Sequence, residues 1–396
     1  MRPHVDQRQA QVLALVRARG SVRVTDVARE LGVSPVTLRR DIEAMAARGE
    51  ILRLHGVISR VEPATPGGRL GGGAAGTASR GDAAPGGPDG PGDAAGLVVG
   101  MVVPTTEYYY AEVVRGAREV VEARGARLTV GLTRYLPGED RTQADRLLST
   151  GADGLLLTPN WDAGSPGPDE GVWTAELPVP TVLVERWAPP GHPAAALDRV
   201  GSDHAHGAAR AVQHLVELGH RRIALACQET PTSARLRAGF EAAVAALGLE
   251  PAPPWPSADS GETPVAALSV ADRFARTLEY LCEAVAGGGG PDAGGGKGGV
   301  TAALIHSDTD AIMLIPRLQA RGVRVPEDLA VITYDDEVAG LADVPLSAVA
   351  PAKREVGARA AELLLDRLSG ADETAYGPHG SPRQHLELLP RLTIRS

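Results

Sequence analysis

Beyond residue 96, short apolar runs alternate with longer amphipathic stretches. LVVGMVV (97–103), RLTVGL (127–132), DGLLLTP (153–159) and PTVLVE (180–185) read as strands, with helices near 107–124 and 139–149. A second series follows: a helix near 203–218, RRIALAC (221–227), helices near 231–247 and 264–286, VTAALIHS (300–307), a helix near 309–321 and LAVITYDD (329–336). Uninterrupted Val, Leu and Ile runs separated by helices imply parallel strands covered on both faces. Two such series imply two doubly wound lobes. A further helix near 353–369 and the closing LELLPRLTIRS must rejoin them. The expected fold class is therefore α/β, with lobe 1 at about 97–200 and 350–370 and lobe 2 at about 201–349 and 385–396.

The first sixty residues follow another pattern. Residues 6–19 fit a helix stopped by Gly20, Thr25 caps a short second helix ended by Gly32, and Ser34 caps a third with Pro35 at its first position. That is a helix-turn-helix arrangement. Leu38, Ile42 and Met45 share the core face of the third helix, while Val36 and Arg40 point away from it and Thr37 and Arg39 flank them. An outward Val beside an outward Arg suits a thymine methyl and a guanine edge in a major groove. After Gly49, ILRLHGVI (51–58) alternates as a hairpin, with Arg53 and His55 on one face.

Charge sharpens this division. Residues 1–63 carry eleven Arg against seven Asp and Glu, a surplus of four, so the remainder carries −13 of the chain's total of −9. A basic head on an acidic body fits nucleic-acid binding by the head. Between them, residues 64–96 are Gly, Ala, Pro and Asp with one bulky apolar residue, Leu70, and read as a disordered linker. The expected domains are thus 1–63, 64–96 and 97–396. Two cysteines, Cys227 and Cys282, argue against a disulfide scaffold. The longest apolar run is too short to span a membrane, and the N-terminus lacks a secretory pattern, so a cytoplasmic location is expected.

The head resembles the DeoR-type winged helix-turn-helix, in LGVS-x-x-T-x-RRD followed by R-x-HG, over roughly residues 6–60. The resemblance implies that Ser34, Thr37, Arg39 and Arg40 meet DNA, supported by Arg53 and His55 of the wing. Val36 joins them on the geometric argument above. Arg39 has an alternative, a pair with Glu43 one helical turn on. Where the family has a glycine pair after the wing His, this chain has Gly56-Val57.

Three stretches of the body, beginning at VVGMVVPTTEYYY, VGSDHAHGAARAV and IHSDTDAIMLI, resemble in order the sensor domain of LacI/GalR-type regulators, which is similar to periplasmic sugar-binding proteins. The implied fold is a two-lobed doubly wound periplasmic-binding-protein-like domain behind the small winged head. In doubly wound sheets ligands sit beyond the carboxyl ends of the strands. The strand-end residues here are carboxylates, an Arg and aromatics, in a chain with only 3% aromatics, which suits sugar or polyol recognition. By resemblance, Glu185, Arg237, Ser307, Asp308 and Asp335 contact the effector, with Tyr109 or Tyr110 as an aromatic wall. Three alternatives stay open: the tyrosines as helix-start packing, Asp335 as a helix cap, and Glu185 in a salt bridge with a neighbouring Arg. Ser307-Asp308 stands where the family often has Asn-Asp, and Thr333 where it usually has Gly, which leaves room for an effector other than a simple hexose.

Asp203 is better read as the cap of its helix than as a metal ligand with His204 and His206. GGGKGG (294–299) lacks the Ser/Thr of a phosphate loop and reads as a loop insertion. No cofactor, metal or catalytic constellation is expected. The expected function is a DNA-binding transcriptional regulator, a repressor acting as a homodimer on a double-stranded operator and controlled by a sugar-like small molecule. The alternatives are a solute-binding protein and a sugar-phosphate-acting enzyme with a DNA-binding head. A Gly-rich linker of about 33 residues reaches ~32 Å r.m.s., comparable with operator half-sites about 34 Å apart. Effector control is therefore expected to run through lobe closure rather than folding of a hinge helix.

Overall fold

A computed structural model describes residues 11–13, 21–23, 51–54, 57–60, 94–161, 164–255, 270–287, 298–369 and 382–395. The chain separates into two units, residues 1–86 and 87–396.

In the first unit, residues 11–13 are helical with Val12 buried. Strands β1 (Ser21–Arg23), β2 (Ile51–Leu54) and β3 (Val57–Arg60) form an antiparallel sheet in the order β1-β3-β2. The hairpin read from ILRLHGVI is present, with Arg53 opposite Ile58 and Leu54 opposite Val57. Its third strand, β1, lies between the first two expected helices, where Ser-Val-Arg is too short to show a period. The expected DNA-reading residues Ser34, Val36, Thr37, Arg39 and Arg40, and His55 of the wing, lie outside the described residues.

In the second unit, β4 (Val98–Val103), β5 (Arg127–Leu132), β6 (Gly154–Leu157), β7 (Thr181–Val184) and β8 (Asp198–Ser202) build an all-parallel sheet. It is completed at one edge by a late strand, His385–Leu388, paired parallel with β8. Both faces of β4 are apolar, which explains its unbroken run. Val99, Met101 and Val103 pack under helix α1 (Tyr109–Ala123) and a helix at Lys353–Leu368, while Val102 meets helix α2 (Glu139–Ser149) on the opposite side. The first two of these helices nearly touch backbone to backbone. A Cβ at Gly116 would lie 1.9 Å from the Arg354 carbonyl oxygen, and one at Gly357 would lie 1.9 Å from that of Val113.

The second sheet holds β9 (Ile223–Cys227), β10 (Ala302–His306), β11 (Ala330–Tyr334) and β12 (Ser347–Ala350) in parallel, flanked by helices α3 (His204–Glu217), α4 (Ser233–Ala246), α5 (Val270–Ala286) and α6 (Asp308–Ala320). Helix α7 (Lys353–Leu368) then returns to the first sheet, β13 (His385–Leu388) adds to that sheet, and β14 (Arg391–Thr393) pairs antiparallel with β12. The chain thus passes between lobes at 202–204, 350–353 and 388–391.

Two boundaries differ from expectation. Residues 385–396 do not all join lobe 2, because the buried Asp198 carboxylate of β8 accepts from the Gln384 N–H at 2.7 Å and pairs with Arg367 and Arg383. That anchor draws 382–388 onto lobe 1. The body also begins before residue 97: Ala94 is buried in the lobe 1 core and its carbonyl accepts from the Leu97 N–H.

Candidate functional site

The carboxyl ends of both sheets converge on a buried polar network that starts at the first turn of α1. Tyr108, at the N-cap of α1 with φ 50°, reaches across to lobe 2. Its hydroxyl donates to Asp308 and, at 3.2 Å, to Asp335 Oδ2. The next residue, Tyr109, donates to Glu185 Oε1 at 2.6 Å within lobe 1. Tyr110 turns inward instead, packing in the lobe 1 core and accepting from the Arg186 guanidinium at 3.2 Å. Of the tyrosine alternatives, Tyr109 faces the network and Tyr110 is helix-start packing.

Glu185 follows β7 with φ 54°, a left-handed conformation that a long side chain adopts only when its surroundings compel it. Its Oε1 accepts from Tyr109 and from Ser202 Oγ at 2.8 Å, while Oε2 accepts from the Ser202 N–H at 3.0 Å and lies 3.4 Å from His204 Nε2. Burial works to raise this carboxyl, but His204, Tyr109 and the Ser202 amide outweigh it and hold it down at about 2. Its partner is thus a histidine, not the neighbouring Arg. His204 in turn meets the Tyr334 hydroxyl at 3.1 Å.

Asp335 follows β11 with φ 89° and is buried, as is Asp308. It is not a helix cap: its Oδ2 accepts from Tyr108 and lies 3.7 Å from His306 Nε2, and its Oδ1 has no hydrogen bond among the described residues. Burial lowers the His306 imidazole, against the pull of Asp335, so His306 favours its neutral form. Asp308 is committed structurally as well. Its Oδ2 accepts from the Val338 and Ala339 N–H groups at 2.6 and 3.0 Å, fixing the turn beyond Asp336. Ser307 occupies the N-cap position of α6 without capping the helix. Asp336 faces away, bonded to Thr393 at 2.8 Å and to Arg395 at 2.6 Å.

Arg237 does not join these groups. It pairs with Glu229 and lines a cavity of about 640 Å³ with Phe240, Trp255 and Tyr280 inside lobe 2. Two positions earlier on α4, Arg235 reaches lobe 1 instead, donating to Glu387 at 2.8 Å and lying over the Trp187 ring at 6.0 Å.

Sequence reasoning did not single out Tyr108, Arg186, His204, His306 or Lys353 as site residues: Tyr108 and Arg186 lay unremarked within strand-end stretches, and His204 was weighed only as a metal ligand. Lys353, one of two lysines in the chain, is buried, donates to the Asp335 carbonyl and to Glu337, and sits 5.4 Å from the Tyr109 ring. One of only two Lys beside 38 Arg is the signal that could have flagged it, because a compact ammonium fits where a guanidinium fork does not. Asp203 caps α3, accepting from the His206 N–H at 2.9 Å. Taken together, Glu185 and Asp335 are buried acceptors met by hydroxyl donors at the junction of two lobes. Such a site suits a ligand bearing hydroxyls.

Comparison with known proteins agrees with this geometry. A DeoR-like helix-turn-helix domain matches residues 8–64. The model of periplasmic binding proteins and the sugar binding domain of the LacI family matches 96–268, and a periplasmic binding protein-like domain matches 212–396. The chain is 27% identical over 301 residues to the HTH-type transcriptional repressor PurR of Haemophilus influenzae, covering 75% of this chain and 80% of that protein. It is 27% identical over 273 residues to an arabinose metabolism transcriptional repressor of Geobacillus stearothermophilus, covering 66% and 68%. Among solved structures, a ribose operon repressor from Burkholderia thailandensis superposes with a TM-score of 0.56 at 22% identity, covering 75% of this chain and 98% of that one. The transcriptional regulator CelR in complex with cellobiose gives 0.54 at 23%, covering 100% and 99%. No helix among the described residues is long and apolar enough to cross a membrane. The chain is a DNA-binding transcriptional regulator under small-molecule control, a LacI-type sensor carrying a DeoR-like helix-turn-helix domain.

Proposed function

We propose that the protein is a repressor whose operator affinity is set by a sugar or related polyol held between the two lobes. The observation that carries this is the Tyr108 hydroxyl, which spans the lobes to Asp308 and Asp335. A phenol donating to a buried carboxylate occupies the place that a ligand hydroxyl would take, so ligand binding and lobe closure draw on the same acceptor. In this reading Glu185 and Asp335 grip hydroxyls, Tyr109 forms the aromatic wall, Ser307 lies at the edge, and Arg237 joins only if α4 turns. Ser34, Val36, Thr37, Arg39 and Arg40 read the major groove, with Arg53 and His55 on the flanking backbone. Two copies bind an inverted repeat, and a regulator that reads DNA works in the cytoplasm where the DNA is. The names of the relatives support repression and the sugar class: one concerns arabinose metabolism and another a ribose operon.

The test is calorimetric titration of the intact protein with a panel of pentoses, hexoses, polyols and sugar acids, paired with selection of bound fragments from genomic DNA. A saturable heat from one panel member and enrichment of an inverted repeat are expected. Absence of any heat together with enrichment would remove the sugar and keep the regulator.

A further inference from the structure

The network above is rich in carboxylates, but the other side of the interlobe junction is built with the opposite sign. Arg199 of β8 and Arg235 of α4 both donate to the same oxygen of Glu387, at 3.0 and 2.8 Å. Two guanidinium groups therefore share one carboxylate, and with Arg186 and Glu185 the lining of the cavity beside them carries three Arg against two carboxylates. The Arg199 guanidinium feels it: burial and the Arg235 charge lower its pKa despite Glu387. Two N–H donors here, Arg199 Nε and Trp187 Nε1, are buried with no acceptor among the described residues. Leaving such donors unpaired is unfavourable, so an acceptor is missing from the picture. Both residues line a partly open cavity of about 20 Å³, together with Glu185, Gly201, Thr232 and Arg235. That volume admits one oxygen-sized group. The cavity touches Glu185, so a ligand gripped there through a hydroxyl extends naturally into it.

We infer that this corner receives a carboxylate of the ligand, making the effector a sugar acid, an aldonate or uronate, rather than a neutral sugar. This rests on the polyol reading of the cleft. A planar carboxylate places one oxygen toward Arg199 Nε and Trp187 Nε1 and the other toward the Arg235 guanidinium, in competition with Glu387.

The test is calorimetry on the intact protein with D-galacturonate, D-gluconate, D-galactose, D-glucose and D-glucose 6-phosphate. At least one acid is expected to bind tenfold or more tightly than its neutral parent, since hydrogen bonds to ionised groups are roughly twice as strong as neutral ones. Arg235→Gln should bring the acid-to-neutral ratio toward one. Glu387→Gln, which removes the competing carboxylate, should raise that ratio several-fold, and it reports even if the Arg variant fails to fold. Equal binding of acid and parent, tighter binding of the phosphate, or a fall in the ratio for Glu387→Gln overturns the inference and leaves the polyol reading in place. If none of the five binds, the inference falls, while the polyol reading stands or falls with the wider panel of pentoses and polyols.

Discussion

The two lobes each end a central strand with a carboxylate in a left-handed conformation, Glu185 after β7 and Asp335 after β11, and each carboxylate meets a tyrosine from the same helix start. They are held differently. Glu185 is saturated by Tyr109, Ser202 and His204, so its position is fixed by lobe 1 and the crossover that leaves it. Asp335 relies on Tyr108 from the other lobe and keeps Oδ1 without a hydrogen bond among the described residues. A saturated acceptor is an anchor; a partly filled one shared across a hinge is exchangeable. In this comparison, Glu185 sets the shape of the site and Asp335 senses whether the cleft is closed.

The largest expected effect breaks the anchor. Glu185→Ala leaves Tyr109, Ser202 and His204 without their acceptor and should cost about 3 kcal/mol of unfolding free energy in urea. The wild-type contribution also has a pH signature. With its folded pKa lowered to about 2, Glu185 stabilises fully above the ordinary carboxylate value, and that stability drains away as pH falls from about 4.5 toward 2. A smaller effect is expected on the sensing side. Tyr108→Phe should cost about 1–2 kcal/mol, and speed amide hydrogen exchange at Val338 and Ala339, whose N–H groups Asp308 holds. Equal losses for both variants would erase the distinction between anchor and sensor.

His306 supplies a third contrast. Because burial lowers its pKa, the unfolded chain binds the extra proton first, so its stabilising contribution is complete above about 6.5 and is lost as pH falls below that value. His306→Gln should flatten the pH dependence of stability just below pH 6.5 while leaving the Glu185 signature at lower pH. The smallest effect is expected for the partly exposed Arg124–Asp366 pair that links α1 to α7. Asp366→Asn should change stability by less than about 0.5 kcal/mol. A larger loss would mean that the contact between these helices depends on charge as well as on Gly116 and Gly357.

Much of the body was legible because its strands are buried on both faces and show as unbroken apolar runs. Among the strands that escaped notice, β8 and β13 violate that rule. β8 reads Asp-Arg-Val-Gly-Ser, a polar string whose Asp198 is buried only because Arg367 and Arg383 arrive from far along the chain. β13 has alternating half-exposed positions at the sheet edge and so resembles a tail. At the site, strand ends drew attention to the stretches holding Glu185 and Asp335 and the resemblance singled them out, with Tyr109 or Tyr110 beside them; the structure brings Tyr109 to Glu185 and Tyr108 to Asp335. Arg237 was named over Arg235, yet Arg235 is the one that reaches lobe 1, since two arginines on one helix cannot be separated without knowing how the helix is turned. Tyr108 and Lys353 act through contacts between lobes, for which spacing along the chain carries no signal.

In the proposed function, a ligand in the cleft and the DNA affinity of the head are linked through Asp335. This link is tested most directly by fluorescence anisotropy of a labelled operator fragment at fixed salt, with and without saturating ligand, for the wild type and Asp335→Asn. Expected is a change of at least tenfold in wild-type operator affinity on adding ligand, and little change in the variant, whose ligand-free DNA affinity stays near wild type. A ligand response of equal size in Asp335→Asn would contradict the claim.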